Sequence, residues 1–405
     1  MTVLTATQFD DLMKPFDLLK SSRLAVGVSG GADSLCLTLF LADWAKKNGK
    51  EFVALTVNHK LRAIADTEAQ SVHDFLSKRG IDHVILTNTQ SIPATGLEAY
   101  ARRVRYDLLT AYCRQNQINT LFLAHHAGDQ AETFLLRLSK KSGLTGLKAM
   151  TPETRYGTVR ICRPFLKLSK NMITQTLISK GISWVEDEMN QDVHYERVRW
   201  RRFLPTLNQV GLSPETICWV TERLARADSA LKIYADSFIQ KQVWIDFRGF
   251  ARIPMPAFQT CPQEIQIRII SDMIQMIGQS LKPVSLKSIE TLVSRLPCSA
   301  TLGECVFVPH RTGLYIAKEV HRQEKGKWIA PHIPTRWDRF IITAEKRCFV
   351  RAECPIDKIE NIPTLVQKTF PAVFMQKELE KEIQIDYKEK NDPLIRIQFI
   401  KQTKG

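Results

Sequence analysis

Paired cysteines are missing from this chain. Its nine cysteines are scattered and no two form a C-x-x-C pair. That speaks against a zinc site or a dithiol motif and suits a reducing compartment, so a cytoplasmic location is expected. No run of eighteen apolar residues occurs, so no membrane span is expected. The opening stretch MTVLTATQFDDLMKPF has early acidic residues and no apolar central region, unlike a secretory signal. Two phosphate-binding signatures are absent as well, G-x-x-x-x-G-K-S/T and G-x-G-x-x-G. There is no internal repeat and no low-complexity block. Acidic residues are in deficit, 42 against 57 basic, for a net charge of +15. An excess of that size points to a polyanionic partner, although charge alone does not separate RNA from DNA.

What is present is enough for two or three cores. The chain has 405 residues, 44% of them apolar and 24% charged. Apolar strand-like runs at 24–28, 52–57, 83–86, 120–124 and 159–162 alternate with helix-like segments at 34–46, 67–79, 98–115 and 129–139. That alternation predicts an α/β fold, a doubly wound parallel sheet with helices on both faces. Ligands in such sheets bind past the carboxyl ends of the strands. After about residue 210 the pattern changes. Segments 213–240 and 262–296 read as amphipathic helices, with PVS and LPCSA as breaks, and 305–320 as a hairpin turning at 309–313. The expected division is 1–210, a catalytic domain; 211–330, a mostly helical middle domain; and 331–405, a short, β-leaning C-terminal segment.

Five stretches could carry chemistry. SGGADS, residues 29–34, ends the first strand and opens a helix. Its glycines let the backbone approach a ligand, and successive N–H groups at a helix N-terminus make an anion nest. Ser29 and Ser34 add hydroxyls. Asp33 would repel phosphate unless it holds a magnesium ion that bridges to it. AHHAGDQAET, residues 124–133, follows the fourth strand, and Asp129 and Glu132 could hold a metal or the ammonium of a cationic substrate. EAYARRVRY supplies Arg102 and Arg105, whose forks suit phosphates and carboxylates. HYERVRWRRF, residues 194–203, interleaves arginines with Tyr195, Trp200 and Phe203, as a nucleotide-binding or snorkelling helix would. VNHKLR should place His59 and Arg62 at the same cleft.

These stretches, with KSGLTGLKAM, RPFL and WVEDEMNQDVHYERVRWR, run in one order over residues 23 to about 203. In that set the chain resembles the N-type ATP pyrophosphatases, marked by S-G-G-x-D-S, and specifically the tRNA(Ile)-lysidine synthetases. The resemblance implies the PP-loop, adenine nucleotide alpha hydrolase-like fold. It implies ATP and Mg2+, free L-lysine, and a CAU-anticodon tRNA(Ile) whose wobble cytidine is adenylated at the C2 oxygen and then attacked by lysine. The product, lysidine, switches decoding from AUG to AUA. Carried over by position, Ser29, Gly30, Gly31, Ala32, Asp33 and Ser34 would hold the pyrophosphate of ATP, with Asp33 on magnesium. Asp129 and Glu132 would sit where lysine meets the activated base, and Arg102 and Arg105 would contact substrate or phosphate. Asp187, Asn190 and Arg197 fall in the later D-x-x-N…R pattern. The resemblance allows a homodimer. The chain departs from the pattern at Gly128, where an aspartate is usual, at Lys140 and Lys141 in place of R-G, and at Val198 in place of an asparagine. Two alternatives remain: a tRNA-thiolating member of the superfamily, which normally uses paired cysteines, and an RNA-binding member impaired in catalysis.

Overall fold

The computed structural model describes residues 3–19, 21–61, 64–93, 95–185, 196–280, 282–353, 359–375 and 395–400. The chain divides into two compact units, 1–228 and 229–404.

The first unit runs α1 (Ala6–Met13), β1 (Arg23–Gly27), α2 (Ala32–Lys47), β2 (Glu51–Asn58), α3 (Ala65–Ser77), β3 (His83–Thr87), α4 (Leu97–Gln115), β4 (Thr120–Phe122), α5 (Ala127–Ser139), α6 (Leu144–Leu147), β5 (Glu153–Tyr156), β6 (Val159–Cys162), α7 (Lys170–Ser179) and α8 (Glu196–Gln209). The strands form one sheet in the order β3-β2-β1-β4-β6-β5. Its pairs are parallel except β5 with β6. The parallel sheet expected from the sequence is present, with an antiparallel edge strand added.

Alternation along the strands explains the layers. Leu24, Val26, Ala54 and Phe122 enter a core with residues of α1, α2 and α7, whereas Ala25, Val53, Leu55 and Leu121 enter one with Tyr106, Leu109 and Cys113 of α4. Successive strand residues point to opposite faces, so a sheet covered on both sides is apolar at every position. The order reverses between β1 and β4, whose carboxyl ends open into the 29–34 and 124–129 segments. That is the switch point where a doubly wound sheet binds ligands.

A long helix, α9 (Pro214–Gln242), leads into the second unit. Beyond α11 (Gln263–Met273) and α12 (Leu286–Val293), which fall in the expected helical run, this unit holds a short helix that was not expected, α10 (Met255–Gln259), and a five-stranded sheet. Its strands are β7 (Trp244–Ile245), β8 (Phe250–Ile253), β9 (Ala300–Leu302), β10 (Cys305–His310) and β11 (Gly313–Lys318). The expected hairpin is β10–β11, with Pro309 opposite Leu314 and only Arg311 and Thr312 in the turn. The run 262–296 is interrupted at Gln279, which takes a left-handed conformation (φ 53°), and the helix restarts with Ser285 capping α12. Two three-stranded sheets follow, and their Ile329, Trp337, Phe340 and Val350 share one core with Ile253, Ile270 and Ile316.

Candidate active site

The phosphate-type loop closes on itself before any ligand arrives. The Ser29 amide donates to Ser34 Oγ (3.1 Å), and Ser34 Oγ donates to the Gly31 carbonyl (3.0 Å). Gly30 is left-handed (φ 85°), and a Cβ there would stand 2.8 Å from Val72 Cγ2, so this position requires glycine. Gly31 caps α2 in an extended conformation with no side chain over the first-turn amides. Those amides and the helix dipole are therefore available to an anion. Asp33, in the first turn, accepts from Lys170 Nζ through both oxygens (2.8 and 2.7 Å).

Opposite the loop, α5 begins two residues earlier than expected. His126 is its N-cap: Nδ1 accepts from the Gly128 amide (2.9 Å), while Asp129 Oδ2 accepts from the His126 amide (2.9 Å). The same imidazole puts Nε2 at 3.8 Å from both Asp33 and Asp129. Gly128 makes this possible, because a Cβ there would lie 2.6 Å from His126 Cε1. Burial pushes the Asp129 carboxyl up, but His126, His125 and the His126 amide outweigh it, and its pKa falls below the usual carboxylate value. Burial pulls His125 down to about 3, so that ring is neutral.

Glu132 is buried one turn on, held by Arg201 of α8 through both oxygens (2.6 and 3.1 Å). Burial raises its pKa despite that partner. Helix α8 is fixed against α5 by Leu204 and Trp200, which pack with Ala131, Leu135 and Ile217. Trp200 therefore serves packing, and its neighbours Arg197 and Arg201, four apart, turn toward the site.

Two cavities meet here. One, of about 320 Å3, is lined by Ser29, Asp33, Ser34 and strand-end residues of the sheet. The other, of about 330 Å3, is lined by Glu98, Arg102, Asp129, Arg197 and Arg201. His59, Arg105 and His125 line both. Arg105 Nε, His59 Nδ1 and His125 Nδ1 are buried without a hydrogen-bond partner. Burial, with Arg102 and Arg197 nearby, lowers the Arg105 pKa. An unpartnered buried guanidinium between like charges fits a wall awaiting an anion.

The structure thus brings Ser29, Asp33, Ser34, Arg102, Arg105 and Asp129 to two adjoining cavities. It places Glu132 behind them, on Arg201. Arg62, Asp187, Asn190 and Tyr195 lie outside the described residues. Sequence reasoning missed Lys170 as the partner of Asp33, which is 137 residues away and carries no local signal. It also missed Arg201 as the partner of Glu132, although the 197/201 spacing on one helix face was readable.

No cysteine lines either cavity. Burial pushes the thiols of Cys36, Cys113, Cys162, Cys218 and Cys305 up to about 12. Among the described residues no three His, Cys, Asp or Glu side chains form a metal cage. No described helix is long and apolar enough to cross a membrane.

Residues 1–207 match the family model described as the PP-loop domain. Across more of the chain, the tRNA(Ile)-lysidine synthase of Wolbachia sp. subsp. Brugia malayi is 30% identical over 89% of this chain and 85% of its own length. That of Wolbachia pipientis wMel is 31% identical over 86% and 83%, and that of Ruegeria pomeroyi 33% over 73% and 71%. Among solved structures, the U34-tRNA thiolase NcsA of Methanococcus maripaludis aligns with a TM-score of 0.47 and 17% identity over 54% of this chain and 79% of its own. The chain belongs to the PP-loop family, in its tRNA(Ile)-lysidine synthase branch.

Proposed function

We propose that this protein ligates lysine to C2 of the wobble cytidine of a CAU-anticodon tRNA(Ile) at the expense of ATP, in the cytoplasm. The observation that carries the reading is the pair of adjoining cavities sharing His59, Arg105 and His125. ATP would place its phosphates on the 29–34 loop, and the cytidine would enter from the side of Arg102 and Asp129. The cytidine C2 oxygen attacks the α-phosphorus, and the bond to pyrophosphate breaks. The lysine ε-amine then attacks C2, and AMP leaves with the oxygen.

The loop amides stabilise charge that builds on the departing pyrophosphate. Asp33 fits magnesium in the way that ion is usually held, by one or two carboxylates with substrate phosphates completing the shell. Lys170, which now neutralises Asp33, would give way to it. Asp129, ionised at neutral pH, is suited to hold the lysine ammonium and take its proton, since only the neutral amine attacks. Glu132, held by Arg201, lines neither cavity. Arg102 and Arg105 would contact substrate or phosphate. The target base must leave its stack, which is cheap in an anticodon loop. A homodimer remains part of this reading.

The thiolating alternative has no sulfur-carrying pair at the cavities, and burial holds the thiols of Cys36, Cys113, Cys162, Cys218 and Cys305 protonated. An Asp33→Ala variant tests the assignment: AMP formation should fall by at least about 100-fold, the scale of a lost electrostatic contact in the transition state, while tRNA binding persists. Retained turnover would remove Asp33 from the mechanism.

A further inference from the structure

Beside the substrate-side cavity, the first unit carries a larger one of about 630 Å3. Arg102, Arg137, Lys148, Arg155 and Arg163 line it, with Glu153 as the one carboxylate. Two of these charges are already balanced. Lys148 Nζ reaches the buried Asp228 (2.6 Å), and Glu153 holds Arg160 through both oxygens (3.0 and 2.7 Å). The four arginines have no ion-pair partner among the described residues. Arg163 is 5% exposed. Its Nη1 donates to the Thr151 carbonyl (3.0 Å) and to Thr154 Oγ1 (3.1 Å), yet its Nε is buried with no acceptor. Tyr106 records the field of the cluster: burial raises its phenol, but Arg102, Arg163 and Arg105 together bring it below the usual value.

The wall is also held rigid. Gln130 exchanges two hydrogen bonds with the Met150 backbone (both 2.8 Å), and Arg137 Nη1 donates to the Gly146 and Ala149 carbonyls (2.7 and 2.9 Å). A fixed wall of like charges, with the buried Nε of Arg163 left without an acceptor, is costly unless an anion completes it. Four guanidiniums spread around one open space exceed what a single phosphate takes, which is one or two forks. They match a chain of phosphates.

We propose that this cavity seats the phosphodiester backbone of the RNA strand adjoining the nucleotide in the substrate-side cavity. Arg102, which lines both spaces, joins them. The assignment rests on the tRNA reading above and extends it to a named surface.

Arg155 is exposed on β5 and lines neither neighbouring cavity, so Arg155→Glu is the probe. Binding of CAU-anticodon tRNA is read by fluorescence anisotropy over a salt series, and AMP formation at saturating tRNA. The variant should bind about tenfold more weakly, with a salt slope shallower by about one. Its AMP rate at saturation should stay within about twofold and its melting temperature should be unchanged. Arg163→Gln, which removes a buried charge, should weaken binding in the same direction. Wild-type affinity and slope in Arg155→Glu would overturn the assignment. Binding is read directly, so wild-type protein that binds tRNA without making AMP would contradict the reaction and not this surface.

Discussion

Gly128 and His126 show how a single missing Cβ rearranges a site. At the position where the family pattern that the sequence resembles has an aspartate, this chain leaves room for an imidazole that caps α5 and lies between Asp33 and Asp129. Gly128→Ala should gain helix propensity and lose the cap, each about 1 kcal/mol, so melting should barely move. The displaced ring should still raise the KM for ATP or lysine, and an unchanged KM would show that the imidazole is only a cap. Lys141 is the second departure. It adopts a left-handed conformation (φ 55°), which glycine takes without strain. Lys141→Gly should stabilise the protein by about 0.5–1 kcal/mol, read by chemical denaturation. The loop chemistry of residues 29–34 was legible because it depends on backbone groups close in sequence. The His126 bridge was not, since it depends on a side chain that position 128 lacks. Glu132 was legible as a charged residue on α5, but its tie to Arg201 joins residues 69 apart in sequence.

At the scale of elements, the βα alternation was readable because strands covered on both faces are apolar throughout. The edge strand β5 was not, since its residues ETRY are half-buried or exposed and carry no apolar run. The α3–β3 pair has its own pH signature. His83 faces Thr56 (2.8 Å) and His73 (3.1 Å), and burial, with His73 alongside, pulls it down to about 4. The unfolded chain protonates this histidine near 6.5 and the folded one does not until about 4. Its contribution is therefore intact above about pH 6.5 and is lost as pH falls toward about 4. His83→Gln should flatten the acid side of the stability curve, measured by urea unfolding at pH 7 and pH 5. An unchanged slope would assign the acid sensitivity elsewhere, His125 being the next candidate.

Over the whole molecule, the +15 net charge set the expectation of a polyanionic partner, and the arginine-lined cavity gives part of that charge a place. How the second unit is built was less readable. Its longer helices were legible by their period, but its sheet pairs β8 with β11 across about sixty residues, and such pairing leaves no local pattern. The central claim is the reaction itself. Purified protein, ATP, magnesium and L-lysine are incubated with a CAU-anticodon tRNA(Ile) transcript, and the digested RNA is read by mass spectrometry with AMP followed in parallel. The account predicts that the wobble cytidine gains the mass of lysine less one water, with one AMP per modified tRNA. An unmodified cytidine with no AMP formed, or a cytidine that has gained sulfur instead, would contradict it.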